Sequence, residues 1–209
     1  MTHDVLNPFS AIQTAAEVLR IKPDNQRMLD VIITSSTQGA AIARNTAVLS
    51  RIALEGDVPK SDIALADMLR EVRQGFDVQL REAGMEFDIA VAGDLRVEAW
   101  PVLIEVFRNF TENAIRYARD GGRIHVEAAA DADATTIRFS DFGATIPEHL
   151  RSAIFERRTR LHAHGQGSGL GLAIVERIIA AHKGRVWVEA GHPTGNIFCV
   201  RLPIHADAN

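Results

Sequence analysis

Residues 165–175 read GQGSGLGLAIV, and the chain continues as ERIIAAHKG. Four glycines within the first seven positions run directly into an apolar, helix-forming stretch. A glycine run at a helix start suits a phosphate, because backbone N–H groups point outward there and the helix dipole favours negative charge. A dinucleotide-binding loop would need a strand just before it and an acidic residue about twenty positions on. The residues upstream, ERRTRLHAH, are charged and do not form a buried strand. Leu172 stands where the lysine of a P-loop would follow the last glycine. The loop therefore asks for a phosphate but fits neither of these two schemes.

Bulk properties narrow the field. A chain of 209 residues holds one large domain or two small ones. It is 46% hydrophobic and 24% charged with a formal net charge of −4, which gives no electrostatic support for nucleic-acid binding. No apolar run approaches the ~20 residues of a membrane span, and MTHDVLNPF lacks the basic start and apolar core of a secretory signal. Cys199 is the only cysteine, so an internal disulfide is excluded and a cytoplasmic location is expected.

Two parts follow from the pattern. Residues 4–54 show no strand-like alternation and a single break at Pro23–Asp24. Before it, Val5, Phe9, Ile12, Ala16 and Leu19 recur at spacings of four and three, a heptad seam. After it, Leu29, Ile33, Ser36, Ala40, Ala43 and Ala47 are the positions expected to point inward. A helical hairpin over residues 1–55 buries little alone, so a four-helix bundle formed on homodimerisation is expected, with packing on the chain's own C-terminal part as the alternative. LEGDVPKSD, residues 54–62, reads as a linker. Over residues 62–205, MEFDIAVA alternates like a strand, PVLIEVFRNFTENAIRYA opens a helix on proline, and RIHVEAAA and TTIRFSDF flank DADA as a hairpin. The glycine loop, a helix to Lys183 with Gly184 as its C-cap, and the strands RVWVEA and NIFCVRLP complete an α+β fold, a two-layer sandwich.

Candidate chemistry gathers on two features. On the proline-led helix, Leu103, Val106, Phe107, Phe110, Ala114 and Tyr117 form an apolar face, and Asn109, Asn113 and Arg116 a polar stripe beside it. That stripe is either a solvated edge or a place for a hydrated metal and phosphate oxygens. Asp141 closes the strand TTIRFS with Gly143 in the following turn. It is either a turn aspartate or a carboxylate that accepts from the exocyclic amine of an adenine in an apolar pocket.

Taken together, FRNFTENAIRYA, DFGATIP, IFERRTR and GQGSGLGLAIVERI resemble, in order and spacing, the asparagine, first glycine, phenylalanine and second glycine boxes of bacterial sensor histidine kinases. HDVLNPFSAI resembles the phospho-acceptor box of the same family, so the resemblance spans His3 to Pro203. It implies a Bergerat-type ATP-binding domain with ATP and Mg²⁺ as cofactors. Asn113 would ligate the metal, with Asn109 close to it; Arg116 and Tyr117 would approach the phosphates and Asp141 would read adenine. Gly143, Ile146, Phe155, Arg160, Gly165, Gly167, Ser168, Gly169, Leu170, Gly171 and Leu172 complete the implied nucleotide site, with residues 155–168 as a lid. The chain departs from the family pattern at Ala99, Phe142, Thr145 and Arg158, where aspartate, asparagine, glycine and an aromatic are usual. A left-handed backbone at position 145 would cost the threonine roughly 1–2 kcal/mol.

The acceptor of the phosphoryl group is expected at His3. His3 and Asn7 are one helical turn apart with Asp4 beside the histidine. A neutral imidazole attacks phosphorus well, and a neighbouring carboxylate takes up its proton. Pro8 removes a backbone N–H nearby. The resemblance implies autophosphorylation of His3 and transfer to an aspartate on a response-regulator receiver domain, with Asn7 assisting hydrolysis of the regulator's phosphate. No sensor segment precedes His3 in this sequence, so a truncated chain or a kinase without its own sensor is expected. A phosphotransfer protein with a degenerate ATP domain is the alternative, as is a nucleotide-binding scaffold, gyrase-like ATPase or serine kinase on the same fold.

Overall fold

Two long helices open the chain, α1 (Thr2–Ile21) and α2 (Gln26–Glu55), and they pack along one another. The computed structural model describes residues 2–22, 25–55, 59–155 and 171–204. Small residues set the contact between the helices. Pro8 and Ala15 are buried on α1, Ser35 and Gly39 on α2, and a Cβ built on Gly39 would lie 3.6 Å from the Pro8 ring. Within the single chain, Leu29, Ile33, Ser36, Ala40, Ala43 and Ala47 are all exposed, as are Phe9 and Ala16, so these positions are not covered by the hairpin itself. Close approach favours the small stripe, which leaves the larger apolar residues one position away and uncovered, with Ile33 at 62% exposure and Phe9 at 56%.

The stretch between the two parts is shorter than the sequence suggests, because α2 runs to Glu55 and β1 (Ser61–Ala64) has already begun at Ser61. Three elements that carry no obvious motif follow: α3 (Leu65–Gly75), α4 (Asp77–Ala83), which ends on left-handed Gly84, and β2 (Glu86–Ala90). β3 (Arg96–Ala99) pairs antiparallel with β1, and the fully buried Ala99 faces Ser61 in that register. A 3-10 turn at Pro101–Leu103 leads into α5 (Ile104–Tyr117), as a proline at a helix start favours. β4 (Arg123–Ala130) and β5 (Ala134–Asp141) form the expected hairpin. Its turn is closed by Asp131, whose carboxylate accepts from Asp133 N–H and Ala134 N–H and pairs with Arg201; that guanidinium and the two N–H groups hold the carboxyl down to about 2.

After α6 (Gly171–Ala181), β6 (Arg185–Ala190) and β7 (Asn196–Pro203) complete a five-stranded sheet of order β2-β4-β5-β7-β6, parallel only at β2–β4. One sheet face meets α3, α5 and α6 through Phe87, Ile124, Phe139, Phe198, Phe110 and Ile178. Phe110 sits at its centre, 4.9 Å from the Phe198 ring and 5.5 Å from that of Phe139. Truncating such a side chain costs roughly 3–5 kcal/mol. The other face carries Asp88, His125, Glu127, Arg138 and Glu189, joined by ion pairs from 2.8 to 4.0 Å, so the fold has two layers. Cys199 lies beneath this layer; burial pushes its thiol up to about 12, which leaves no thiolate for metal or redox chemistry.

The end of α6 departs from the expected cap. Lys183, not Gly184, takes the left-handed conformation, with φ 58°. Gly184 is required for another reason: a Cβ there would fall 2.5 Å from the Arg201 carbonyl oxygen. Just before this cap, His182 is buried, its Nδ1–H donating to the Ile178 carbonyl at 2.7 Å while Nε2 accepts Trp100 N–H at 3.0 Å. Burial, first, and the Lys60 charge hold its pKa below the ordinary value, against the Ile178 hydrogen bond. A histidine whose folded pKa is depressed contributes full stability above its unfolded pKa of about 6.5 and loses it as pH falls, because the unfolded chain takes the proton first. The Tm advantage of the wild type over His182→Asn is therefore expected to shrink as pH is lowered from neutral into the acid range, in thermal melts at matched ionic strength.

Candidate functional site

The helix α5 presents its polar stripe at the edge of the core. Asn109 is half-buried; its Nδ2–H donates to the Glu105 carbonyl at 2.7 Å, which aims its Oδ1 at the start of α6. A Cβ on Gly171 would come within 2.5 Å of that oxygen, so the first residue of α6 lies directly against the Asn109 side chain. One turn further along, Asn113 is half-buried and its side chain has no hydrogen-bond partner among the described residues. Arg116 and Tyr117 are exposed at the end of the helix, the guanidinium 5.9 Å from the ring centroid.

The turn after β5 packs against that same end of α5. A Cβ on Gly143 would fall 2.5 Å from Ala118 Cα, and one on Gly121 would fall 2.3 Å from the Phe142 carbonyl carbon. Only glycines permit two backbones to meet this closely. Asp141 is buried within this junction and accepts from Gly143 N–H at 3.1 Å and from Asn196 Nδ2 at 3.1 and 3.3 Å. Burial raises its pKa above the ordinary carboxylate value, and these hydrogen bonds oppose the shift. The end of β5, the end of α5 and the start of α6 are thus arranged around one edge of the sandwich.

Other residues expected at the site play packing roles. Phe155 is buried in the core, and Ile146 and Leu172 are half-buried against it, so what these three offer a ligand is an apolar wall. Arg158, Arg160, Gly165, Gly167, Ser168, Gly169 and Leu170 lie outside the described residues, as do the side chains of His3, Asp4 and Asn7, whose backbones belong to α1.

Two departures from the family pattern are explained by geometry. Thr145 does not adopt a positive φ, since Lys183 is the only non-glycine among the described residues that does, so the expected strain is absent. Its hydroxyl instead accepts Gly195 N–H at 3.1 Å. Phe142 lies beneath the Arg123 guanidinium, 5.7 Å from the ring centroid. Sequence reasoning missed Asn196, a buried residue that joins Asp141 to the 144–146 turn. Asn196 reads as the first residue of the strand NIFCVRLP with no sign of chemistry, and only the pairing of Asp141 with Asn196 in the β5–β7 register reveals its place.

Comparison with known proteins agrees with this arrangement. Residues 101–206, just over half of the chain, match the family described as histidine kinase-, DNA gyrase B- and HSP90-like ATPases. The sensor protein CreC of Escherichia coli (strain K12) is 31% identical over 211 residues, covering 98% of this chain and 44% of CreC. The chain spans about half the length of the curated relatives it matches. Among solved structures, the catalytic domain of histidine kinase ThkA superposes with a TM-score of 0.63 at 29% identity, covering 69% of this chain and 95% of that domain. ThkA in complex with the response regulator protein TrrA superposes with a TM-score of 0.71 at 23% identity over 100% of this chain and 61% of that one, a likeness of fold. The five-stranded sheet with α5 and α6 on one face is thus a sheet-based ATP-binding fold, and the chain belongs to the family of histidine kinase-, DNA gyrase B- and HSP90-like ATPases.

Proposed function

We propose that this chain binds Mg·ATP at the edge formed by α5, the turn after Asp141 and the start of α6, phosphorylates itself on His3, and passes the phosphoryl group to an aspartate of a response-regulator receiver domain. The observation that carries the reading is the buried Asp141 carboxylate packed against the end of α5, with Asn109 against the first residue of α6. Support for the chain-wide role comes from relatives such as CreC, whose similarity runs through the helical part as well as the sandwich.

The donor set fits magnesium. Among the described residues no three carboxylate, imidazole or thiolate groups are gathered to hold a metal. A hard cation bound through phosphate oxygens and water needs only one or two protein oxygens, and the uncommitted Asn113 amide provides one. Bound magnesium would neutralise charge on the β- and γ-phosphates. Asn109 would sit beside it, and Arg116 and Tyr117 would meet the phosphates from the exposed end of α5. In the transfer, a His3 ring nitrogen forms a bond to the γ-phosphorus as the bond to the ADP oxygen breaks; the ring proton passes to Asp4. The receiver aspartate then displaces the imidazole, and Asn7 assists the later hydrolysis.

Incubating the protein with γ-labelled ATP and magnesium tests this directly. Label that is lost in acid and retained in base is expected for phosphohistidine. Acid-stable label would favour the serine-kinase alternative, and no label with intact ATP binding would favour a scaffold.

The exposed apolar side chains Phe9, Leu29 and Ile33 support a homodimer through α1 and α2, completing a four-helix bundle. Ile33 is a cleaner probe than the half-buried Ile12, because it is the more exposed of the two. Ile33→Asp is expected to shift the protein to monomer in sedimentation with little change in Tm; a wild type already monomeric at high concentration would contradict the dimer. The implied setting is the cytoplasm, and no described helix is long and apolar enough to cross a membrane.

A further inference from the structure

The turn at residues 143–146 is tied to the start of β7 chiefly by one side chain. Asn196 Nδ2 donates to both Asp141 carboxylate oxygens, at 3.1 and 3.3 Å, and to the Ala144 carbonyl at 3.0 Å. Its Oδ1 accepts Ile146 N–H at 2.7 Å. The Ile146 N–H can only donate and the Ala144 oxygen can only accept, so the amide cannot flip without losing both. A separate tie joins Gly195 N–H to the Thr145 hydroxyl at 3.1 Å. Gly195, with φ 97°, admits no side chain, because a Cβ there would fall 2.1 Å from the Asp141 carbonyl oxygen.

This network treats the two carboxylate oxygens of Asp141 unequally. Oδ1 receives Gly143 N–H and the nearer Asn196 contact, whereas Oδ2 receives only the longer one. We propose that Asn196 is the positioning residue that makes this pocket select a 6-amino purine over a 6-oxo purine, by holding Asp141 as a hydrogen-bond acceptor with Oδ2 open to the exocyclic amine. The inference rests on the reading of Asp141 as the group that meets the base.

Its physical basis is the balance acting on a buried carboxyl. Burial favours the protonated form of Asp141, while the Gly143 N–H, the Asn196 side-chain amide and the Asn196 backbone favour the ionised one; no charged side chain among the described residues contributes to the shift. Without the Asn196 side chain only the two backbone hydrogen bonds oppose burial, so the carboxyl retains its proton to higher pH. A protonated Asp141 would present an O–H, which suits the carbonyl of a 6-oxo purine and no longer accepts from an amine as a carboxylate does. Loss of Asn196 therefore changes which base is preferred, not only how tightly any nucleotide binds.

The test compares affinity for Mg·ATP and Mg·ITP, which differ at that position of the base, by calorimetry on the full chain at neutral pH. The wild type is expected to prefer ATP by about tenfold or more, the worth of one well-made hydrogen bond. Asn196→Leu, similar in size and without donors, is expected to bring the two affinities within about threefold of each other. Thr145→Ala removes the other tie without touching the carboxylate, so it should weaken both nucleotides together and keep their ratio. If Asn196→Leu does not fold, Asn196→Ala, which also lacks a side-chain donor, should show the same lost preference. Asn196 variants that weaken both nucleotides in proportion would overturn the proposal while leaving Asp141 as the base reader. A wild type that binds ATP and ITP equally would overturn the reading of Asp141 itself, and with it this inference.

Discussion

Asn113→Ala is expected to abolish magnesium-dependent ATP binding, by at least about 100-fold, while the protein keeps its fold; loss of groups that merely support a metal ligand already costs 10–100-fold. The position is favourable for such a clean result. Asn113 is half-buried on the edge of α5, between Glu112 and the buried Ala114, and its amide holds no described neighbour in place. Alanine is the better helix former, so the substitution removes chemistry without opening the core built on Phe107 and Phe110. Calorimetry with and without magnesium checks the claim. Affinity that is unchanged, or lost equally in the absence of the metal, would assign Asn113 to the helix edge alone and leave the phosphates to other groups.

What the sequence makes legible here depends on whether a residue's role is local. The strand and helix periods around β4, β5, α5, β6 and β7 are local, and those elements form where apolar spacing places them. The stripe of Asn109 and Asn113 is local too, because two residues four apart on a helix share a face wherever that helix lies. α3 carries its own signal, Leu65, Met68, Leu69 and Val72 on one face, although no chemical motif draws attention to it.

Non-local roles were hidden. On α1 and α2 two apolar stripes lie side by side, and spacing alone cannot decide which one the chain covers itself. Close packing chose Ala15, Ser35 and Gly39 over Phe9 and Ile33. Gly184 reads as a cap, yet the reason for its missing side chain is a carbonyl on β7, far away in sequence. Thr145 reads as strain until Gly195 is seen to give it a hydrogen bond, and Asn196 reads only as the start of a strand until β5 and β7 are aligned. Each of these depends on a partner about twenty to fifty positions away, beyond the reach of any local period.

His3→Gln is expected to take up no phosphoryl label while binding Mg·ATP as the wild type does. A glutamine amide is polar and of similar reach, but its nitrogen is not a nucleophile, so the covalent route closes rather than slows. In the proposed function the ATP-binding part would contribute positioning and charge, with a phosphate at the start of α6, a metal on Asn113 and a base on Asp141. The Asn113 amide is not a nucleophile, and the Asp141 carboxylate would be occupied at the base, away from the γ-phosphate. His3 stands in the first turn of α1 with Asp4 next to it and Asn7 one turn on. Phosphoryl transfer needs mainly an aligned nucleophile and stabilised charge, so docking of the sandwich against that helix is a sufficient mechanism. Asp4→Asn should bind ATP normally but label about 10²- to 10⁴-fold more slowly, the usual contribution of a general base. Quantified acid-labile label over a time course separates the two variants, since one lacks an acceptor and the other only the base. Wild-type labelling of His3→Gln would move the acceptor elsewhere in the chain, and wild-type rates in Asp4→Asn would hand the proton to water.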